Sequence, residues 1–192
     1  MKKLKYLMTL ALILVLGLTI YYFVVNKSDK NSDDSKDATV SGIEKMLSKD
    51  FEKNYPKSVR EVVSNFISIQ ECYYNEDMEE DKLVQLAYQA MRLFDDELVE
   101  TNPFDKYYAG LTKEIEEYRT EGKALYKTIL DKASEVEYSE IDGVRYAKIN
   151  CIYYLRASKG TDKVTETYAL RRDDEGNWKI LGWQIYNSGE SE

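Results

Sequence analysis

The sequence predicts an α+β protein: an N-terminal transmembrane helix, then helices packed on a curved antiparallel sheet. Three observations lead there. Residues 6–25 read YLMTLALILVLGLTIYYFVV and carry no charge. From Ile43 to Tyr118 apolar residues recur three and four apart, the period of a helix. After Gly122 the period falls to two, the period of a strand. Helices first and a meander of strands after them point to segregated layers.

The uncharged run is long enough to cross a bilayer as a helix of about 30 Å. It is longer than the apolar core of a cleaved signal, roughly 7–15 residues. It also ends in Ile20, Tyr21, Tyr22, Phe23, Val24 and Val25, which do not suit a small-residue cleavage site. Tyr6, Tyr21 and Tyr22 suit the aromatic belts of a spanning segment. The expectation is a retained single-pass anchor in the cell membrane. A removed secretion signal and a buried core helix are the competing readings. Lys2, Lys3 and Lys5 favour a cytoplasmic N-terminus, which places the remaining domain on the extracytoplasmic side. The chain then divides into a tail at 1–5, an anchor at 6–25, a polar linker at 26–41, an α+β domain at 42–187 and a tail at 188–192. The linker has almost nothing to bury, and as a coil it spans roughly 20–25 Å.

Four helical patterns open the domain. Ile43, Met46, Leu47 and Phe51 form the first, ended by Tyr55-Pro56. Ser58 to Glu61 has the spacing of a capping box and starts the second, whose stripe is Val59, Val62, Val63, Phe66, Ile67, Tyr73 and Tyr74. Leu83, Leu86, Ala87, Ala90, Met91, Phe94 and Leu98 make the third. Asn102-Pro103 reads as a cap and a first-turn proline for the fourth, with Phe104, Tyr107, Tyr108, Leu111, Ile115 and Tyr118 on its stripe and Gly122 at its end.

The strands follow. One spans about Ala124 to Glu140, interrupted near Ala133-Ser134. Asp142-Gly143 is a hairpin signal. Arg145, Ala147, Ile149, Cys151, Tyr153 and Leu155 then alternate with Tyr146, Lys148, Asn150 and Tyr154, so one face is drier. Ser158 to Asp162 reads as a turn, Val164 to Leu170 as a strand, Asp174 to Asn177 as a tight turn and Trp178 to Tyr186 as the last strand.

Charge and composition exclude several function classes. The chain has 27 Lys+Arg against 35 Asp+Glu, and three of those lysines precede the anchor. So acidic a domain repels phosphate backbones, so no nucleic-acid partner is expected. There is no histidine, which excludes Ser-His-Asp and Cys-His sites and histidine-bound zinc. Two cysteines are too few for a disulfide scaffold; whether Cys72 and Cys151 pair is left open. The run Glu76 to Asp81 lacks the periodicity and central glycine of a calcium loop and reads as a helix start. Asp95-Asp96-Glu97 reads as a solvated helix face, with one acid bonding a neighbouring loop. No metal, cofactor or catalytic residue is expected.

Seventeen tyrosines admit two readings. Tyrosine suits half-buried strands with its hydroxyl in water. Alternatively Tyr146, Tyr153, Tyr154, Tyr168 and Tyr186, with Trp178 and Trp183, line an amphipathic pocket. In that case Asp142 or Glu166 could act as acid or base, and no spacing selects between them.

Tyr168 to Arg172, a glycine-containing turn and Asn177 to Trp183 resemble the closing hairpin of the nuclear-transport-factor-2-like fold, a cone in which helices pack into a bent sheet. Asn54-Tyr55-Pro56, Leu93 to Leu98 with Asn102-Pro103, and Trp178-Lys179-Ile180 are similar to stretches of an uncharacterised family of bacterial proteins with one N-terminal span and such a domain. That resemblance covers roughly Lys53 to Tyr186. It implies a fold and a topology and no activity. Some assembly proteins of conjugation and type IV secretion channels also pair a short tail, one span and a cone, a likeness of architecture alone. The expectation is therefore a non-enzymatic, membrane-anchored module that binds a protein or joins an assembly. The rival is a cone that binds or alters a small molecule with tyrosines and carboxylates.

Overall fold

The structure is a computed structural model that describes residues 41–157 and 160–186. The expected anchor at 6–25, all of the linker but Ser41, and the tail at 188–192 lie outside the described residues. Among the described residues, no helix is long and apolar enough to cross a membrane.

Among the described residues five helices precede five strands: α1 Gly42–Leu47, α2 Val59–Asn75, α3 Glu80–Met91, α4 Asp96–Thr101, α5 Phe104–Thr120, then β1 Ala124–Leu130, β2 Glu137–Ile141, β3 Val144–Ala157, β4 Gly160–Arg172 and β5 Trp178–Tyr186. The sheet is antiparallel in the order β1-β3-β4-β5. β4 pairs along one edge of β3, and β1 and β2 share the other, β2 against Val144–Lys148 and β1 against Cys151–Arg156. A 3-10 turn at Ala133–Glu135 separates β1 from β2, where the sequence indicates the interruption.

Two bulges curve the sheet. Tyr126 is an extra residue in β1, and Leu181 is one in β5, between the pairs Ala169↔Gly182 and Leu170↔Ile180. Each adds bend and twist to its strand. The helices fill the inner face with a core built on Phe66, which meets Phe94 and Tyr168 edge-to-face at centroid separations of 5.4 and 6.0 Å.

The local signals act as physics requires. Ser58 Oγ accepts the Glu61 amide of α2 at 3.2 Å. Glu61 answers the Lys57 amide at 2.7 Å, one residue further out than a full capping box. Gly122, at φ +60°, ends α5 while Lys123 N donates to Tyr118 O at 2.8 Å. Asp142 and Gly143, at φ +52° and +81°, form the primed turn that the Asp-Gly pair prefers.

Four expectations need correction. The first helix stops at Leu47, because the Asp50 side chain accepts the amides of Glu52 and Lys53 and closes a turn of its own. The third pattern is two helices. Between them Asp95 N donates to Ile180 O and Ile180 N to Leu93 O, both at 2.8 Å, so the chain there joins the sheet edge. Asp95 then caps α4 through the Glu97 amide at 3.0 Å. Asp95 is thus no part of a solvated face. It is 3% exposed and holds Arg171 of β4 through two hydrogen bonds. Finally, the Ser158–Asp162 turn is shorter than expected, since β3 and β4 pair as far as Ala157↔Gly160.

A candidate binding pocket under the curved sheet

α2 and α5 cross the inner face of the sheet and leave a cavity of about 410 Å³ between them. Helical spacing brings Phe66, Gln70, Tyr73 and Tyr74 to one face of α2. The same rule brings Tyr107, Gly110, Glu114 and Tyr118 to one face of α5. Tyr153 of β3 and Glu166 of β4 form the floor, and Trp183 and Ile185 of β5 stand at the side. The volume is of the order that holds a small organic ligand.

A chain of hydrogen bonds crosses the floor. Tyr153 donates to Gln70 Oε1 at 2.9 Å, its hydroxyl meets that of Tyr168 at 2.6 Å, and Tyr168 meets Glu166 Oε2 at 2.6 Å. These are three bonds, and the two phenols supply two protons. With Gln70 accepting through its carbonyl, the three bonds are all made only when Glu166 carries the third proton; with Glu166 ionised, Tyr168 donates to its Oε2. Burial raises the Glu166 carboxyl above its ordinary value and nearby Glu114 raises it further, against the opposing pull of Tyr168. Turning the Gln70 amide through 180° reverses the chain and keeps all three bonds with Glu166 ionised.

Glu114 lies nearer the mouth. Burial raises its carboxyl too, with the Tyr74 hydroxyl pulling it down. More than a third of Glu114 is nonetheless open to solvent, so water screens this shift and Glu166 is the more strongly perturbed of the two. Tyr118, stacked on Tyr74 at 4.4 Å, is pushed up to about 12 by burial and by both carboxylates. Tyr73 is 2% exposed, and its hydroxyl has no hydrogen-bond partner. Tyr107 is near enough to raise its pKa but falls short of bonding geometry.

Of the residues expected to line a pocket, Tyr153 and Trp183 do, and Tyr168 lies directly beneath as the link to Glu166. Three do not. Tyr154 is on the outer face beside Tyr126, since it alternates with Tyr153. Tyr146 is on that same outer face, in a separate groove with Arg171. Trp178 packs against Tyr138 at the far end of β5. Tyr186 pairs with Thr165 as the last residue of β5, and its side chain lies outside the described residues. Asp142 sits in the β2–β3 turn, away from the cavity, so Glu166 is the carboxylate the fold selects.

The sequence reading missed the helical half of the pocket. Gln70, Tyr73, Tyr107 and Glu114 were visible as stripe or near-stripe positions, but nothing in their spacing distinguishes a lining from a filled core. Cys72 and Cys151 are buried free thiols, each pushed up to about 12 by burial. Among the described residues, no group of three or more Cys, Asp or Glu could hold a metal ion.

A comparison with curated proteins finds no match. A family model does match, and it takes in both the uncharged run at 6–25 and the pocket-bearing domain as far as Trp183. The chain belongs to the family described as Domain of unknown function (DUF6715), matched over residues 1–183.

Proposed function

We propose that this chain is a membrane-anchored binding domain that holds a small amphipathic molecule inside a nuclear-transport-factor-2-like cone. The single observation that carries the reading is the cavity of about 410 Å³ with Glu166 on its floor. Aromatic walls around a few convergent polar groups are the ordinary make-up of a ligand site. Binding is favoured over catalysis because Glu166 faces phenols held far above their ordinary pKa by burial and by Glu166 itself. Such phenols stay protonated near neutral pH and make poor nucleophiles. The uncharged run at 6–25, with lysines before it, supports an anchor with the domain on the extracytoplasmic side.

Protein binding is the second reading. It is favoured by the β2–β3 hairpin, where Tyr138 and Ile141 are 58% and 59% exposed. A role in a conjugation or secretion apparatus has architecture alone behind it.

The two tryptophans provide the test, because Trp183 borders the cavity and Trp178 does not. Titrating the full-length chain in micelles with 2-phenylethanol should move the Trp183 indole N–H resonance and leave that of Trp178 in place. Gly110 stands on the cavity wall, and a Cβ there would meet no atom within 4 Å. Gly110→Leu should therefore narrow the cavity and abolish the shift while keeping the fold. It should even gain up to about 1 kcal/mol from helix propensity. Movement of both indoles alike, or binding unchanged in Gly110→Leu, would remove the pocket from the account.

A further inference from the structure

Resting on the pocket reading above, we infer that the ligand is an organic cation, an aromatic or alkyl ammonium whose charged end meets Glu166 and Glu114. Two carboxylates border the cavity, and among the described residues neither forms an ion pair. Lys106 is the cation among the lining residues, and its Nζ is bound to the Thr101 carbonyl at 3.0 Å, the C-terminal end of α4. The cavity thus has anionic groups and no cation committed to them.

The other lining groups suit the same guest. An ammonium donates hydrogen bonds and accepts none. The Tyr73 hydroxyl is buried beside the cavity with nothing to accept from. Tyr74, Tyr107, Tyr118 and Trp183 offer aromatic faces, which attract cations and pack against an apolar body. A carboxylate guest would be repelled by each of Glu166 and Glu114 that is ionised, and Lys106 is already bound to the Thr101 carbonyl.

Burial and nearby Glu114 favour the neutral form of the Glu166 carboxyl, and an ammonium beside it favours the carboxylate, to which Tyr168 donates.

Three probes of one shape separate the possibilities: 2-phenylethylamine, 2-phenylethanol and 3-phenylpropanoate, titrated calorimetrically into the full-length chain in uncharged detergent at pH 7. Expected is at least tenfold tighter binding of the amine than of the alcohol, with no measurable binding of the acid. Glu166→Gln should bring amine and alcohol within about twofold, and an unchanged near-ultraviolet circular dichroism of that variant shows the pocket still formed. Equal affinity for amine and alcohol, or a preference for the acid, overturns the cation inference and leaves the pocket reading standing. Failure of all three probes to bind removes both.

Discussion

The hydrogen-bond chain of Gln70, Tyr153, Tyr168 and Glu166 ties the stability of the pocket to pH. The native state raises the Glu166 carboxyl above its ordinary value of about 4.5, so in the window above that value it holds a proton the unfolded chain has lost. Stability from this group is fully present below about pH 4.5 and is lost as pH rises through the native value. The difference in denaturation midpoint between the unliganded protein and Glu166→Gln should therefore change with rising pH in favour of the variant. A difference that is flat in pH would mean that folding leaves the Glu166 carboxyl unperturbed. Tyr168→Phe removes the link between the two phenols and leaves Tyr153 and Glu166 each short of one bond, a loss of about 1–3 kcal/mol by chemical denaturation. At this scale the strand half of the site was legible. The alternation of β3 that marks Ala147, Ile149, Cys151, Tyr153 and Leu155 as the dry face also removes Tyr146 and Tyr154 from any pocket on that face. The raised Glu166 carboxyl was not legible, because it depends on burial under the helices and on Glu114 of α5.

Among the elements, the break between α3 and α4 shows where pattern reading ends. Phe94 and Leu98 continue the helical spacing, and Leu93 and Phe94 are buried, so periodicity gives no sign that the backbone has left the helix. What ends it is a tertiary demand. The edge of β5 takes the backbone of Leu93 and Asp95, and Arg171 takes the Asp95 carboxylate. Asp95→Ala removes a helix cap and leaves the Arg171 guanidinium, itself only partly exposed, with Glu97 as its one carboxylate partner. Equilibrium unfolding should show a loss of about 2–4 kcal/mol. Asp95→Asn keeps the cap and should lose less. Equal losses would mean that the charge contributes nothing and capping everything. By contrast the turns at Asp142-Gly143 and at Gly176 were legible, since their positive φ values are demands of the local backbone that few residues meet.

For the molecule as a whole, order and class were legible: helices first, strands after, one bent antiparallel sheet. The change from helical to alternating period at Gly122 coincides with the end of α5. The existence of a cavity was not, because a stripe of apolar residues reads the same whether the space it faces is filled or empty. The anchor is a separate question with its own measurement. Membrane fractionation of cells expressing the full chain should leave it in the membrane pellet after alkaline carbonate extraction. Release of a form whose N-terminus lies near residue 20 would show that the run is a cleaved signal instead. Protease added outside intact cells should then reach the 42–187 domain if it faces outward, and protection would reverse the orientation.

The extra residue Leu181 divides β5 into two phases. Before it, Trp178 and Ile180 occupy the even positions of the strand, and after it the odd positions Trp183 and Ile185 point to the same side. Strict alternation from Trp178 would turn Trp183 outward. The pocket wall is thus a property of count as well as of composition. Losing Leu181 would remove the extra residue, leave Trp183 on the cavity side in strict alternation and straighten the strand, whereas gaining one more residue there would move every later side chain of β5 to the opposite face, and the cavity would lose Trp183 with no lining residue having been altered. Change at this site has two separate routes: substitution, which tunes the guest, and insertion in β5, which decides whether there is a room to hold one.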